Sequence, residues 1–478
     1  MQEIDLKLNR IPAEIQKIHL TAVCGTGMAA LASVLKEKGY EVTGSDHKTY
    51  PPMSDFLARK NIPIYEGYQK NNLSAAPDLV VVGNAVSRDN PEVKQMQLMR
   101  LPFCSMPQAV NRFVAQDKKT LLIAGTHGKT TTSALLAWIL NVAGLDPSFI
   151  IGGILKNFNS NYRLGKGPYF VVEGDEYDTA FFDKGPKFRH YDPYATVLTG
   201  VEFDHADIFT DLDHVIRTFE RFIAGLNPNS YLVAFDRDLN VDRISKDQSC
   251  VVERYGRMQT SGWCLGPMTI DPPWTLFEIL KKGGRFGSFR TKLPGEHNLL
   301  NGLAAIAIAD HLQISKETIV TALESFQGIK RRQEVRGEQK GITVIDDFAH
   351  HPTAVKETIR GIKPFCNKGR LLAVFEPRTN SSRRNIFQNA YPHSFKGADL
   401  ICIRKPPLLD KIPPQERFSS EKLVQDLKRK GHKAYYFPDT DGIINFICTR
   451  AQSGDTILIM SNGGFDNIHE RILKQLSL

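Results

Sequence analysis

The sequence predicts an α/β protein in which three domains follow one another along the chain. Its 478 residues exceed the size at which a single hydrophobic core stops growing, so about three domains are expected. Short apolar runs alternate with amphipathic helical stretches, which is the pattern of parallel sheets covered by helices. Polar breaks near residues 116–119 and 327–330 divide the chain into segments 1–117, 118–329 and 330–478.

Each segment contains its own series of predicted strands and helices. In the first we expect strands Ile18–Val23, Glu41–Gly44 and Leu79–Val82 and helices Ala29–Lys38 and Asp55–Lys60. In the second we expect a strand at Leu121, a helix over Ala134–Val142, strands Tyr169–Val172, Thr196–Thr199 and Tyr231–Ala234, antiparallel strands between Cys250 and Leu293, and a helix over Leu299–Leu312. In the third we expect strands Thr343–Ile345, Leu371–Phe375, Leu400–Ile403, Ala434–Phe437 and Thr456–Met460.

Composition and charge narrow the class of protein. Apolar residues make up 41% of the chain and charged residues 24%, as in ordinary globular proteins. The net charge of +9 is spread along the chain without a basic stripe interleaved with aromatic residues. We therefore expect polyanionic small-molecule substrates rather than nucleic acid.

Cysteine usage and hydropathy suggest a location. The seven cysteines are scattered and never spaced as C-x-x-C, which favours reduced thiols over disulfides or a zinc ribbon. The first residues lack a basic-then-apolar pattern, and no apolar run approaches the roughly 18 residues of a membrane span. We expect a cytoplasmic protein without membrane insertion.

The first segment contains a glycine-rich turn between its first strand and its first helix. Residues 24–30 include the pattern G-x-G-x-x-A, and Asp46 follows about twenty residues later. This arrangement is typical of a turn that places a diphosphate at a helix N-terminus, with an acid near a ribose. A tight turn without a ligand is the alternative. The pattern does not distinguish NAD from a UDP-sugar, because both carry a diphosphate.

A second glycine turn opens the central segment. Gly125 and Gly128 bracket a turn that ends in Lys129 and Thr130 and leads into a helix. Glycines let the backbone approach an anion, the lysine adds positive charge, and the threonine hydroxyl can ligate Mg²⁺. Ile123 stands where the full P-loop pattern has its first glycine, so we interpret the turn as a shortened P-loop for ATP or GTP. A chance match is the alternative, and the flanking strand and helix argue against it.

Acidic residues follow the next two strands. Glu173 stands directly at a strand end, where a carboxylate can ligate a nucleotide-bound Mg²⁺. Asp175, Glu176 and Asp178 come next and could instead form a solvated loop. His205 lies among carboxylates after the following strand and is a candidate second metal ligand. Two metal ions and the P-loop lysine would neutralise a transferring γ-phosphoryl group.

Further polar groups follow in the second half of the chain. Asn298 and Asn301 are spaced to share one helix face and could pair with a purine edge, although Asn298 alone could be an N-cap. Arg332, in a basic triplet, suits a phosphate or an exposed surface. Asp347 and Arg378 follow two strands of the third segment, as functional groups of parallel sheets do.

Taken in series, these motifs resemble the Mur ligase family, the ATP-dependent ligases of bacterial cell-wall peptide assembly. The similarity covers residues 18–473, and the motifs occur in the family's order. They are the G-T-x-G-K-T-T loop, the strand-end Glu173, D-H-x-D around His205, H-N-x-x-N at 297–301, R-x-E at Arg332 and D-D-x-A-H-H-P at 346–352.

The resemblance implies a Rossmann-like N-terminal domain that binds a UDP-sugar, a central P-loop ATPase domain and a Rossmann-like C-terminal domain that binds an amine. It implies ATP and Mg²⁺ as cofactors. The implied reaction joins the carboxylate of UDP-N-acetylmuramate to the amine through an acyl phosphate, with release of ADP and phosphate. Residues 50–54, 83–91, 176–184 and 460–464 favour members that add L-Ala-γ-D-Glu-meso-diaminopimelate in peptidoglycan recycling, and addition of free L-alanine is the alternative.

The resemblance also assigns site residues by position. The expected catalytic residues are Lys129, Glu173 and His205, and the expected metal ligands are Thr130, Glu173 and His205. ATP is expected at Gly125, Thr126, His127, Gly128, Lys129, Thr130, Thr131, Asn298, Asn301, Arg332 and Asp347. The UDP-sugar is expected at Gly25, Thr26, Gly27, Met28, Ser45, Asp46 and Asn84. The amine is expected at His350, Arg378, Asn380 and Asn462.

Two functions from other classes compete with this interpretation. An NAD(P)-dependent oxidoreductase would use the turn at Gly25 with Asp46, but it would give Lys129, Glu173 and His205 no task. A non-catalytic nucleotide switch would use the P-loop, but it would not need a second phosphate-binding domain.

Overall fold

The computed structural model describes residues 4–49, 53–366 and 369–478, which form two compact units. The first unit comprises Met1–Val201, Ile216–Arg254 and Ala304–Ala322, and the second comprises Glu202–Val215, Tyr255–Leu303 and Leu323–Leu478. The predicted central segment contributes to both units, so the domain boundaries at 117 and 329 stay a prediction.

The first unit begins with a five-stranded parallel sheet in the order β3-β2-β1-β4-β5. Its elements are β1 (Lys17–Thr21), α1 (Thr26–Glu37), β2 (Glu41–Asp46), α2 (Met53–Arg59), β3 (Ile64–Glu66), β4 (Leu79–Val82), α3 (Pro91–Leu98), β5 (Phe103–Ser105) and α4 (Met106–Val110). Every residue of β4 is buried, as expected for a strand with helices on both faces. The strand order reverses between β1 and β4, and such a reversal opens a crevice at the carboxyl ends of the strands.

A second sheet of the first unit runs in the order β13-β12-β6-β9-β7-β8. Its strands are parallel except β8, which pairs antiparallel with β7. The elements are β6 (Lys119–Ala124), α5 (Lys129–Val142), β7 (Ser148–Leu155), β8 (Ser160–Arg163), β9 (Tyr169–Gly174), the hairpin strands β10 (Asp178–Ala180) and β11 (Asp183–Pro186), β12 (Pro193–Leu198), α6 (Leu212–Ala224), β13 (Tyr231–Phe235) and α7 (Leu239–Ile244).

The next part of the chain forms an antiparallel meander followed by two helices. The elements are β14 (Val251–Gly256), β15 (Trp263–Asp271), β16 (Trp274–Lys281), β17 (Gly284–Thr291), α8 (Glu296–His311) and α9 (Lys316–Ser325). The pairs β15–β16 and β16–β17 are antiparallel, as predicted. The prediction is wrong for β14, which runs parallel to β15 and pairs with it only through Tyr255 and Gly256, because the loop of residues 257–262 returns the chain in the same direction.

The second unit ends in a six-stranded sheet in the order β18-β19-β23-β20-β21-β22, in which only the edge strand β18 is antiparallel. The elements are β18 (Glu334–Gln339), β19 (Ile342–Asp347), α10 (Pro352–Ile362), β20 (Leu371–Phe375), β21 (Leu400–Arg404), α11 (Ser420–Arg429), β22 (Ala434–Phe437), α12 (Thr440–Cys448), β23 (Thr456–Met460) and α13 (Ile468–Ser477). Leu371, Ala373 and Phe375 pack into one core, and Leu372 and Val374 into another. Helices therefore cover both faces, and the predicted α/β class is confirmed.

Several sequence expectations can be compared with the structure directly. The bounds of β4, β20, β22 and β23 are those predicted. Helix α1 begins at Thr26 rather than Ala29, because Gly25 in an extended conformation is its N-cap. The stretch at residues 50–54 lies partly outside the described residues, which exclude 50–52. All seven cysteines fall within the described ranges and are free thiols. Across those ranges, no helix has both the length and the apolar character that a membrane span requires.

Candidate active site

The turn after β6 is fixed in a conformation that only glycine adopts easily. Gly125 has φ +121°, and a Cβ there would lie 2.4 Å from Thr199 Oγ1 and 2.8 Å from the carbonyl oxygen of Gly200. The Thr126 N–H donates to that same carbonyl over 2.8 Å. The turn is therefore held against the chain that follows β12, with no room for a side chain.

Helix α5 begins directly after this turn with an N-terminus suited to an anion. Its N-cap, Gly128, has left-handed geometry with φ +80° and no side-chain cap. A helix N-terminus without a capping side chain presents its first N–H groups and the positive end of the helix dipole. His127 lies in the turn, and its carbonyl accepts a hydrogen bond from Thr199 Oγ1. The backbone of this turn thus fits the predicted phosphate-binding role.

Lys129 is the first residue of α5, and its ammonium group is held inside the turn. Nζ donates to the carbonyl of Gly125 at 2.6 Å and to Glu176 Oε2 at 2.8 Å. Burial lowers the pKa of Lys129, but the carboxylates of Glu176, Asp175 and Glu173 outweigh it and raise the pKa above its ordinary value. The lysine is therefore a fixed positive charge at the helix N-terminus.

Thr130 and Glu173 come together beside this lysine. The Thr130 hydroxyl donates to Glu173 Oε2 at 3.2 Å, and Glu173 Oε1 accepts from the Gly152 N–H at 2.6 Å. β6 and β9 are neighbours in register, with Ile123 opposite Glu173, which explains the proximity. A hydroxyl and a carboxylate are hard oxygen ligands, so this pair fits the Mg²⁺ that accompanies a nucleotide.

The turn after β1 has the same strand–turn–helix plan but different supports. Gly25 is exposed, and Thr26 and Gly27 are half-buried at the start of α1. The Cys24 N–H donates to Asp46 Oδ2 at 2.8 Å, and Asp46 Oδ1 accepts from the His47 N–H at 2.8 Å. Asp46 therefore holds the backbone of the turn, and its contact with a ribose stays a prediction.

A buried polar network lies behind this first turn. Ser45 Oγ donates to Glu92 Oε2 at 2.7 Å, Asn72 Nδ2 donates to Glu92 Oε1 at 2.6 Å, and His19 Nε2 lies 3.6 Å from Glu92. Burial raises the pKa of Glu92, but these hydrogen-bonding partners bring it below its ordinary value. Ser45 is fully buried, so its side chain supports the turn, and its predicted contact with the UDP-sugar stays a prediction. Of the other predicted residues, Met28 is buried and Asn84 is exposed after β4.

In the second unit, the His205 loop is fixed by a buried carboxylate. Asp204 Oδ1 accepts from the His205 N–H at 2.7 Å, and Asp204 Oδ2 lies 3.6 Å from His350 Nε2. Burial raises the pKa of Asp204, but the hydrogen bond from His350 and the nearby imidazoles hold it well below its ordinary value. His205 itself has φ +55°, an uncommon conformation for a residue with a side chain. Its predicted metal-ligating role stays a prediction.

The same loop contacts residues predicted to bind the amine. Asn380 Nδ2 donates to Asp207 Oδ2 at 2.8 Å, and the Ala206 N–H donates to Ser381 Oγ at 3.2 Å. Within the second unit, the structure therefore brings together the His205 loop, His350 and Asn380, which are far apart in the sequence.

Arg378 and Asn462 follow the adjacent strands β20 and β23. Arg378 Nη1 lies 3.6 Å from Glu376 Oε1, and Ser461 Oγ donates to Glu376 Oε2 at 2.7 Å. A Cβ on Gly463 would lie 2.2 Å from Arg378 Cδ, so the arginine packs directly on that glycine. The two predicted amine-binding residues thus share one edge of the C-terminal sheet.

The remaining predicted ATP residues of the second unit are well anchored. Asn298 lies inside α8 rather than at its N-cap, and Nδ2 donates to Pro294 O and Gln333 Oε1, both at 2.8 Å. Asn301 Nδ2 lies 3.4 Å from Asn298 Oδ1. The Arg332 guanidinium stacks 4.3 Å from the Phe348 ring centroid. Asp347 accepts from the backbone N–H groups of Gln333 and Ala349, and burial raises its pKa. Their contacts with ATP stay predictions.

Comparison with known proteins gives matches along nearly the whole chain. The profile "Mur ligase family, catalytic domain" matches residues 17–118, "Mur ligase middle domain" matches 123–309, and "Mur ligase, glutamate ligase domain" matches 331–463. The UDP-N-acetylmuramate–L-alanyl-γ-D-glutamyl-meso-2,6-diaminoheptandioate ligase of Escherichia coli is 39% identical over 462 residues, which are 96% of this chain and 98% of that protein.

Two further relatives bear on the specificity and on the fold. The UDP-N-acetylmuramate–L-alanine ligase of Acetivibrio thermocellus is 33% identical over 469 residues, 97% of each chain. The crystal structure of a murein peptide ligase from Psychrobacter arcticus is 35% identical, covers 97% of this chain and 99% of its own, and superimposes with a TM-score of 0.72. With these identities and the geometry of both glycine turns, the chain belongs to the Mur ligase family.

Proposed function

We propose that this protein is an ATP-dependent ligase that joins UDP-N-acetylmuramate to L-Ala-γ-D-Glu-meso-diaminopimelate in peptidoglycan recycling. The observation that carries the proposal is the partly buried Lys129 ammonium at the start of α5. It lies beside Thr130, whose hydroxyl donates to the Glu173 carboxylate over 3.2 Å. The Gly25 turn in the same unit, which opens α1 without a capping side chain, supports a binding site for the UDP moiety. The relatives with the higher identity act on the tripeptide according to their names.

The chemistry explains why an amide ligase needs such a turn. A carboxylate is too poor an electrophile for an amine, so it first takes the γ-phosphoryl group of ATP and becomes an acyl phosphate, with ADP released. The amine then attacks the acyl carbon, phosphate leaves, and the amine nitrogen loses a proton. Lys129 places a positive charge where phosphoryl oxygens carry negative charge, and alignment of the substrates supplies most of the rate.

Thr130 and Glu173 are the residues of the first unit that would hold Mg²⁺. The ion would neutralise phosphate charge, and His205 is the further ligand that we predict from the sequence. In the second unit, His350, Arg378, Asn380 and Asn462 remain our candidates for the amine substrate, while Asn298, Asn301, Arg332 and Asp347 remain candidates for ATP. We also infer a cytoplasmic location, because ATP and UDP-sugars are cytoplasmic metabolites and the cysteines are free.

The test is phosphate release in the presence of ATP, Mg²⁺ and UDP-N-acetylmuramate, with either the tripeptide or free L-alanine added. We expect release that depends on the tripeptide and a kcat/KM at least about 100-fold higher than with L-alanine, which corresponds to a few kcal/mol of binding in the transition state. Preference for L-alanine would establish the alternative ligase. No amine-dependent release would reject a ligase, and an absorbance change with NAD(P)H would instead favour the oxidoreductase.

A further inference from the structure

Gly463, in the loop after β23, is the place where the Arg378 side chain packs against the backbone. A Cβ at Gly463 would lie 2.2 Å from both Cδ and Nε of Arg378 and 2.8 Å from Cζ, and these are its three nearest atoms. The φ angle of Gly463 lies outside the left-handed region, so the backbone conformation does not require glycine here. The arginine is therefore the structural reason for a glycine at this position.

The Arg378 guanidinium keeps its N–H groups free for a ligand. Its side chain is 37% exposed, and Nη1 lies 3.6 Å from Glu376 Oε1, which is beyond hydrogen-bond distance. Among the residues that the structure describes, none accepts a hydrogen bond from this guanidinium. A guanidinium is a planar fork of donors whose shape and charge match a carboxylate. A carboxylate is thus the group that fits this arginine.

Glu376 faces the same arginine and is itself fixed. Its side chain is fully buried, Arg404 donates to Oε1, and Ser461 Oγ donates to Oε2 at 2.7 Å. Arg404 also donates to Asp466 Oδ2 at 2.9 Å. Because both oxygens of Glu376 are already engaged, its charge can orient Arg378 without occupying the N–H groups of the arginine.

The loop that contains Gly463 is anchored as well. Arg331 Nη2 donates to the carbonyls of Ser461 and Gly463 at 2.7 and 2.6 Å, and the Gly463 N–H donates to Ser461 Oγ at 3.0 Å. Between them, Asn462 has a buried Oδ1 that accepts no hydrogen bond from any residue in the described ranges. A buried acceptor without a donor is unfavourable, so a ligand N–H would stabilise it.

We infer that Gly463 and Glu376 are positioning residues that hold the Arg378 guanidinium ready for a carboxylate of the amine substrate. In L-Ala-γ-D-Glu-meso-diaminopimelate every carboxylate lies beyond the L-alanyl residue, whose own carboxyl group is in an amide bond. Free L-alanine has its carboxylate beside the attacking amine. An arginine fixed at one place therefore cannot serve both substrates equally. The inference rests on the proposed function, since it concerns the amine of the same reaction.

The experiment compares Gly463→Ala with Gly464→Ala in the full-length protein. A Cβ at Gly464 would meet no atom within 4 Å, so this variant controls for an added methyl group in the same loop. Phosphate release is measured with saturating Mg·ATP and UDP-N-acetylmuramate while the tripeptide is varied. We expect Gly463→Ala to raise the KM for the tripeptide by about tenfold or more, because the displaced guanidinium loses a charge-assisted hydrogen bond. The KM for ATP should stay within about twofold, and Gly464→Ala should leave both values within about twofold.

A second variant separates this effect from a loss of loop structure. Arg378→Ala removes the side chain that the added Cβ would meet, so Gly463→Ala should have no further effect in that background. The double variant also relieves the contact if Gly463→Ala alone lowers the melting temperature. A tripeptide whose carboxylates are converted to carboxamides should be a poor substrate of the wild type and should be used about equally well by Gly463→Ala.

Three outcomes would overturn the inference. They are an unchanged KM for the tripeptide in Gly463→Ala, equal effects of Gly463→Ala and Gly464→Ala, and additive effects of Gly463→Ala and Arg378→Ala. Each of them leaves the proposed function standing, because the wild type still releases phosphate with the tripeptide. If the wild type releases none, the proposed function is wrong and this inference falls with it.

Discussion

The two glycine turns of the first unit share one plan but differ in what surrounds them. After β1, the Gly25 turn leads into α1 without a lysine. The turn is held by a hydrogen bond from the Cys24 N–H to the Asp46 carboxylate. After β6, the turn at Gly125 leads into α5, and Lys129, Thr130 and Glu173 lie beside it. A helix N-terminus is sufficient to bind a diphosphate that does not react. A phosphate that is transferred also needs a lysine and metal ligands.

The turns are also joined within the unit. Asn161 Nδ2, on β8, donates to the Thr26 carbonyl at 3.0 Å, and the hairpin that carries Glu176 packs Phe182 on Phe103 of β5. Thr26, at the start of α1, is thus held by the sheet that contains β8. The hairpin that follows Glu176, the partner of Lys129, is held by the sheet that contains β5. Substitutions can test whether the turns nevertheless have separate tasks.

The largest effect is expected for Lys129→Ala. It removes the positive charge at the start of α5, so ligation should fall by about 10³-fold or more while the affinity for UDP-N-acetylmuramate stays within about twofold. Phosphate-release kinetics and calorimetric titration with UDP-N-acetylmuramate check both parts. Lys184→Ala, which removes an exposed lysine of the neighbouring hairpin, is the control. If Lys129→Ala retained ligation activity, the role proposed for the Gly125 turn would be wrong.

The second prediction compares the effect on stability of replacing one glycine in each turn, Gly125 and Gly27, by alanine. Gly125→Ala forces a Cβ to within 2.8 Å of a carbonyl oxygen at φ +121° and should destabilise the protein by roughly 3 kcal/mol. At Gly27 a Cβ would meet only the flexible side-chain end of Met106 at 2.9 Å, and the residue is helical, so Gly27→Ala should change the stability by less than about 1 kcal/mol. Chemical denaturation of both variants is the measurement. Equal losses of unfolding free energy in the two variants would contradict the proposed difference in backbone constraint between Gly125 and Gly27.

This contrast also shows where prediction from the sequence succeeds. Both turns are predictable because glycine spacing, a preceding apolar strand and a following helix are local patterns. The bounds of β4, β20, β22 and β23 are predictable because each is a short apolar run, and every residue of β4, β20 and β23 is buried. The place of Glu173 at a strand end is likewise a local pattern that predicts its role. Its contact with Thr130 depends on β9 lying next to β6, which no local pattern states.

Other parts of the site depend on contacts that the sequence does not reveal. Glu92 stands near the start of helix α3, where an acid usually faces water, and no local sequence pattern links it to His19. The Asp175–Asp178 stretch could equally have been a solvated loop, but the hairpin packing buries Glu176. The local signal beside Glu92 is Asn90, the residue that caps α3 by accepting a hydrogen bond from the Glu92 N–H.

The third prediction tests the first turn alone. Gly27→Asp places a negative charge at the N-terminus of α1, so the KM for UDP-N-acetylmuramate should rise by about 100-fold while the affinity for Mg·ADP is unchanged. Steady-state kinetics and nucleotide titration measure the two quantities. Gly27→Asn has nearly the same size without the charge and should raise the KM much less. If both variants behave alike, crowding rather than a diphosphate contact explains the loss.

The smallest effect concerns the network behind the first turn. Glu92→Gln keeps the shape of the side chain but removes the charge that faces His19. It should lower the free energy of unfolding by about 1–2 kcal/mol at neutral pH. The folded-state pKa of Glu92 lies below its ordinary value of 4.5, because the hydrogen bonds from His19, Ser45 and Asn72 outweigh burial. A carboxyl with a depressed pKa stabilises the fold above its unfolded pKa, and this contribution is lost as the pH falls through the folded pKa.

The stability gap between the wild type and Glu92→Gln should therefore be full near pH 7 and shrink as the pH falls below about 4.5. Denaturant unfolding at several pH values measures this gap. A gap that stays constant into acid would mean that the charge of Glu92 contributes nothing. Because Ser45 precedes Asp46, which holds the Cys24 N–H, the variant should also raise the KM for UDP-N-acetylmuramate modestly and leave Mg·ADP binding unchanged. An equal change at both turns would show that the network supports the whole unit rather than the first turn.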